Sequence, residues 1–280
     1  DGYFEEEGLK INLTNGGGAD NSMTAVLSKT AHIGLMGPET VIYVSNQGKE
    51  DAPKVFGQLT QKDGAFLVSR KAEPNFKWTD LKGKEILAGR KGGVPAMSFE
   101  YVLKELGFTN NVDYTLNFNV QFNLMTSAFL SGVADYCTVF EPTASEYQAE
   151  GKWHIVSSVG VASGEIPYTS FIALESFLNE NKDVVKGFLR AIKKAHEYMA
   201  THTELEVAEK IIKQFPSTTI KSIETSIKSY KNIDAWKTNL QATESSFERL
   251  QNVMESAGEL PQRVEFSKLV DNTFAKEVFG

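Results

Sequence analysis

Leu27-Ser28-Lys29-Thr30-Ala31-His32-Ile33 returns further along the chain as Leu130-Ser131-Gly132-Val133-Ala134-Asp135-Tyr136, and this pair of stretches decides the fold. The likeness extends in both directions. Upstream, alternating runs over 9–15 and 114–120 lead into Met23-Thr24 and Met125-Thr126, each read as a helix start. Downstream, a short apolar strand ends on a proline beside a glutamate, in Met36-Gly37-Pro38-Glu39 and again in Val139-Phe140-Glu141-Pro142. A helical stretch and another strand, 55–59 or 154–159, follow each. Strands alternating with helices at this spacing predict parallel, helix-flanked sheets. Two copies of the unit predict two α/β lobes, each doubly wound, with a cleft between them.

The second copy opens with more than the first. Residues 85–88 read as a strand, and Gly89-Arg90-Lys91-Gly92-Gly93-Val94-Pro95 turns into a helix whose apolar positions are Phe99, Val102, Leu103 and Leu106, closed by Gly107. The first copy begins at Tyr3-Phe4-Glu5-Glu6-Glu7-Gly8, which matches only the tail of that helix. The expectation is therefore that the first lobe lacks its opening strand, its ligand loop and the start of its first helix. The absence of a leading Met or signal peptide agrees with a mature or trimmed product.

Two extended stretches, 66–69 and 168–174, cross between the units and predict a double-stranded hinge. Residues 1–66 with 170–280 are expected to form lobe one and 67–169 lobe two. After the second crossing the pattern is helical, with stripes Val185, Phe188, Leu189, Ile192, Met199; Val207, Ile211, Ile212, Phe215; Phe247, Leu250, Met254; and Phe266, Leu269, Val270, Phe274. These helices are expected to pack on lobe one, with Lys193, Lys194, Lys221 and Lys228 on solvated outer faces.

Composition narrows the function. A chain of 280 residues, 41% hydrophobic and 23% charged, is long enough for two cores, and its net charge of -7 argues against a nucleic-acid partner. No run approaches the roughly 18 apolar residues that span a bilayer, so the chain reads as soluble, with an upstream anchor left open. The one cysteine, Cys137, falls in an apolar strand and reads as a core thiol. Among the four histidines, His196 and His202 are off the i, i+4 face of a helical metal pair, and neither a Gly-x-Ser-x-Gly elbow nor a Walker loop occurs. No cofactor or metal is expected.

Gly2-Tyr3-Phe4-Glu5-Glu6-Glu7-Gly8-Leu9, Gly37-Pro38-Glu39, Asp63-Gly64, Asp80-Leu81-Lys82-Gly83-Lys84, Gly92-Gly93-Val94-Pro95, Phe140-Glu141-Pro142 and Phe188-Leu189-Arg190-Ala191 carry a resemblance. In that order they resemble the substrate-binding proteins of ABC importers, in the branch that includes nitrate, sulfonate and taurine binders and the thiamine-precursor (THI5/NMT1-like) proteins. The resemblance implies two lobes closing on a small molecule by hinge motion, an extracytoplasmic place, free or lipid-anchored, and delivery to a membrane permease. A monomer is expected. An enzymatic fungal branch uses a cysteine-rich motif and iron, for which this chain has only Cys137. The family often has Trp where this chain has Phe140, so an indole donor is missing there. The usual Asp ahead of the first-lobe strand is His32, read as a surface residue.

Several residues are candidates for the ligand site. Gly92 and Gly93 admit a close ligand ahead of Val94 and Pro95, where helix N-H groups favour negative charge, or they only make a tight turn. Gly16-Gly17-Gly18 is the corresponding loop of lobe one. Gly37 belongs to the proline-glutamate turn of that lobe. Glu39 and Glu141 stand just after central strands and either face the cleft or stabilise a helix dipole; family position supports Glu141 with Phe140. Gln61, Asp63 and Tyr168 flank the crossings and either reach a ligand or hold turn and hinge. Gln121 and Phe122 follow a strand directly. Aromatic rings with Glu39, Asp63 and Glu141 favour a neutral or weakly basic ring, first a pyrimidine-type vitamin precursor, whereas Arg90, Lys91 and the helix start at Gly93 suit a sulfonate or other anion.

Overall fold

The computed structural model describes residues 2–280 and contains two sheets. Strands β1 (Gly34–Met36), β2 (Pro53–Gln58) and β8 (Ser170–Leu174) form the first, in the order β1-β8-β2. The second contains β3 (Phe66–Ser69), β4 (Glu85–Leu87), β5 (Thr115–Leu116), β6 (Tyr136–Val139) and β7 (His154–Ser158), in the order β5-β4-β6-β3-β7. The internal repeat is visible in this pairing. In each sheet the crossing strand, β8 or β3, slots antiparallel between the two repeat strands. Only β4 keeps the parallel pairing expected throughout, with β5 and β6. The difference arises because each crossing enters the sheet of the lobe it arrives in, which sequence spacing within one unit does not encode.

Among the described residues, the sheet of lobe one has no counterpart of β4, in line with the unequal openings of the two copies, and none of β5 either. The alternating run 9–15, expected as a strand, is instead unpaired chain with Leu13 83% exposed. A strand needs a neighbour to receive its N-H and C=O groups, and no described strand runs beside these residues.

Helices α1 (Tyr3–Glu6), α2 (Ala19–Leu27) and α3 (Glu39–Asn46) belong to the first unit. Helix α2 begins before the expected Met23, which together with Val26 faces the core. Lobe two adds α4 (Val94–Glu105), α5 (Met125–Leu130), α6 (Thr143–Ala149) and α7 (Val159–Ser163). In α4, Phe99, Val102 and Leu103 are buried, but Leu106 lies past the last turn and is exposed. Trp153 and Cys137 are fully buried under this lobe, the indole Nε1 donating to the Ala144 carbonyl at 2.9 Å. Burial pushes the Cys137 thiol up to about 12, which disfavours the nucleophilic thiolate.

Helices α8 (Glu175–Glu180), α9 (Lys182–Thr201), α10 (Glu204–Ile211), α11 (Ile220–Asn232), α12 (Glu244–Ser256), α13 (Phe266–Leu269) and α14 (Thr273–Phe279) complete the chain. The stripe of α9 packs on the first sheet, where the Phe188 ring meets Phe171 edge-on at 5.0 Å. Phe215, expected in the α10 stripe, is exposed. Not all these helices stay on lobe one. Phe247, Leu250 and Met254 of α12 share a core with Val94 and Met97 of α4, because α12 lies across the seam between the lobes. Lys194 is not a free surface lysine either, since it pairs with Glu6 and Glu7 of α1.

Candidate ligand cleft between the lobes

The cleft is lined where β1 and β6 end and α3, α4 and α6 begin. On the lobe-one side the chain turns at Gly37 and Pro38 and puts Glu39 in the first position of α3. The Glu39 carboxyl folds back over Gly37 into the space that a Cβ would occupy, so a side chain at that position would displace the carboxyl. It is fully buried, with Oε2 lacking any hydrogen-bond partner. Burial raises its pKa to about 7. Its own N-H, the N-H of Val94 across the cleft, and the Arg90 charge pull in the other direction.

Asp63 is the second buried acid. Its Oδ1 accepts from the Ala65 N-H at 2.7 Å, in the manner of an Asx turn, while Oδ2 is unpartnered. Burial again carries the pKa to about 7. The Tyr168 hydroxyl lies near enough for each group to feel the other, yet it too makes no bond within hydrogen-bonding distance. Gly160 makes this arrangement possible, because any Cβ there would collide with the Asp63 carbonyl. The Tyr168 ring leads to Phe140 at 6.4 Å, and Phe140 leads to Phe122 at 6.0 Å. An aromatic file therefore runs from the buried acids to the exposed Phe122.

The lobes are drawn together by groups of the chain itself. Arg90 meets Asp20 at 3.2 Å, Tyr43 donates to the Gly92 carbonyl at 2.9 Å, and Arg249 donates to the Ser163 carbonyl at 2.6 Å. Lys237 and Glu165 pair at 3.2 Å, and Lys104 reaches the Ser256 carbonyl. Beside α4 remains a cavity of about 200 Å³ between Gly92, Met97, Glu100, Phe118 and Glu259.

Glu39, Gly37, Asp63, Gly93, Val94, Phe140 and Tyr168 thus come together from the expected set. Gly92 sits at the edge, in a left-handed conformation with φ of 73°. Three candidates point elsewhere. The Gln61 amide donates to the Asp234 carbonyl and carboxylate, tying the crossing to the loop after α11. Glu141 turns onto its own helix, accepting from the Ser145 N-H at 3.0 Å and hydroxyl at 2.6 Å, which is the dipole-stabilising alternative. Gln121 is exposed at the outer rim. The loop 16–18 is exposed as well.

Two participants escaped the sequence reading. Tyr230 of α11 accepts from the Glu141 N-H at 3.1 Å and lies against Phe66. Tyr43 sits on the α3 face turned to lobe two. Both come from helices whose apolar pattern marks them as core, and only tertiary packing brings them to the cleft. His32 is exposed and stacks on Phe177. Among the described residues, no group of three His, Cys, Asp or Glu side chains is placed to hold a metal.

Comparison with known proteins bears on the family and the fold. YtlA of Bacillus subtilis (strain 168), which carries the name of a binding protein, is 40% identical over 277 residues, covering 99% of this chain and 83% of that protein. The alkanesulfonate-binding protein SsuA of Xanthomonas axonopodis pv. citri superposes with a TM-score of 0.77 at 16% identity, over 96% of this chain and 91% of its own. The periplasmic nitrate-binding protein NrtA of Synechocystis PCC 6803 does so with a TM-score of 0.77 at 13% identity, over 99% and 82%. These two likenesses show the periplasmic binding protein fold. The family model described as NMT1/THI5 like matches residues 1–206. With that match and a relative alike over nearly its whole length, the two-lobed chain belongs to the NMT1/THI5-like family.

Proposed function

We propose that this protein is the extracytoplasmic solute-binding component of an ABC importer, closing residues 1–66 with 170–280 over residues 67–169 around a small molecule and presenting it to a membrane permease. The ligand is a neutral or weakly basic ring with N-H donors on its edge, of the aminopyrimidine kind. One observation carries this reading. Two buried carboxyls, Glu39 and Asp63, each hold an oxygen with no partner beside an aromatic file, and a buried acceptor left unpaired is costly unless a donor arrives. A ring stacked near Phe140 and Tyr168 and donating to Asp63 satisfies both demands.

The second reading is an anion binder of the sulfonate or nitrate type. It is supported by the N-terminus of α4, which has no acid in its first turn and no side-chain cap of its own. Names of the structural neighbours SsuA and NrtA point the same way. A thermal-shift panel separates the two. Cytosine or 4-aminopyrimidine is expected to raise the melting temperature, with the rise lost in Asp63→Asn, while methanesulfonate and nitrate have no effect. Stabilisation by the anions and not by the rings reverses the assignment.

A further inference from the structure

Asn-Gly occurs once in the chain, at Asn15-Gly16 in the loop that leads into α2. We propose that Asn15 is a site of non-enzymatic modification, where the side-chain amide is lost through attack by the Gly16 nitrogen and a neutral loop becomes acidic. The inference is independent of what the cleft binds.

The chemistry is internal to the two residues and needs only water besides. The backbone nitrogen of Gly16 attacks Cγ of Asn15, and the new N-C bond closes a five-membered imide. The Cγ-Nδ2 bond breaks, and the proton released from the Gly16 nitrogen departs with Nδ2 as ammonia. Water then opens the imide at one carbonyl or the other, giving aspartate or isoaspartate. Ring closure requires an N-H that is not engaged elsewhere and little crowding from the following residue, which glycine provides by lacking a Cβ.

The loop meets these requirements. Asn15, Gly16 and Gly17 are exposed. Among the described residues, nothing accepts from the Gly16 N-H. Oδ1 of Asn15 accepts from the Gly17 N-H at 2.8 Å, a bond that keeps the amide folded over the intervening Gly16 and polarises Cγ toward attack. Two other asparagines followed by small polar residues lack this freedom. Asn21 precedes Ser22 inside α2, where the Ser22 N-H donates to the Gly18 carbonyl at 3.0 Å. Asn110 precedes Asn111, whose N-H donates to the Tyr114 carbonyl at 2.7 Å. Attack from either nitrogen first has to break a backbone bond. The modified residue lies shortly ahead of Asp20, the lobe-one half of the ion pair with Arg90, so the added charge falls on a segment that reaches lobe two.

Peptide mapping by mass spectrometry tests this on the purified, folded protein held in mildly alkaline buffer. The peptide containing residue 15 is expected to gain one mass unit and to divide into two isomers, of which isoaspartyl methyltransferase methylates one. Conversion at Asn15 is expected to run at least about tenfold ahead of conversion at Asn21 and Asn110, the scale of one backbone hydrogen bond in a barrier. Gly16→Ala, which crowds the ring, is expected to slow conversion, and Asn15→Gln, which would have to close a six-membered ring, is expected to stay unmodified. Circular dichroism confirms that each variant folds, and either variant alone suffices. An Asn15 that remains intact, an Asn21 or Asn110 that converts as fast, or a folded variant that converts at the wild-type rate overturns the proposal.

Discussion

The hydroxyl of Tyr43 on α3 donates to the carbonyl of Gly92 at 2.9 Å, fastening lobe one to the loop that starts the α4 helix of lobe two. A bond of this kind exists only while the lobes are together. Under the proposed hinge motion it belongs to the closed form, and its strength then enters the balance between open and closed protein.

Tyr43→Phe removes that one neutral bond and little else. A net loss of about 1 kcal/mol is expected, enough to move the ligand-free equilibrium roughly fivefold toward the open form. Distances between dyes placed on the two lobes, read by single-molecule energy transfer, report the shift. An unchanged distribution would mean that the bond contributes nothing to closure.

Acidity is expected to act through Glu39 and Asp63. Both have pKa values raised by burial to about 7, from ordinary values of 4.5 and 3.8. The native closed form then holds more protons than the unfolded chain between about pH 4 and pH 7, so their contribution falls as pH rises through that window and is constant above it. Glu7, Asp51, Glu204 and Glu206 have lowered values and work with the opposite sign. The useful quantity is therefore the difference between proteins. Stability of Glu39→Gln relative to wild type, from urea melts at pH 5 and pH 8, should improve at the higher pH. A constant difference would show that Glu39 is ionised throughout.

Glu141→Ala distinguishes a capping residue from a ligand residue. With both its oxygens on Ser145, the carboxylate serves the start of α6. Loss of about 1 kcal/mol of stability is expected with no change in affinity for a stabilising ring compound. A selective loss of affinity in calorimetry would return Glu141 to the site.

Trp153 is the largest fully buried side chain, and its Nε1 also satisfies the Ala144 carbonyl. Trp153→Ala should destabilise the protein by about 3–5 kcal/mol, measured by chemical denaturation. A cost below about 1 kcal/mol would mean that Phe129 and Tyr147, its ring neighbours, collapse into the space.

Much of the architecture was legible because the chain repeats itself. Strand-helix order, the α5 start at Met125 and the unequal openings of the two units all follow from local pattern. What eluded pattern was contact at a distance. Residues 9–15 alternate as a strand should, but alternation says which face is apolar, not whether a neighbour is present. In the cleft, Glu39 and Asp63 were candidates by position, yet nothing local shows that each keeps one buried oxygen without a partner while Asp63 turns its other one onto Ala65. Tyr230 was hidden for the same reason, since its partner Glu141 lies in the other lobe. Gln61 had a polar side chain in the right place and a better offer from Asp234.

The placement of β8 has a consequence for how the molecule is made. Every strand of the second sheet lies within one uninterrupted stretch, from β3 to β7, so that sheet can assemble as soon as that stretch is available. The first sheet is different, because β1 and β2 do not pair with each other and both wait for β8, which is translated only after all of lobe two. Long-range pairings of this kind are slow to form, and chains emerging from the ribosome fold their local units first. The sheet of β1, β2 and β8 is therefore expected to be the last to form, with β1 and β2 unpaired until Ser170–Leu174 is available.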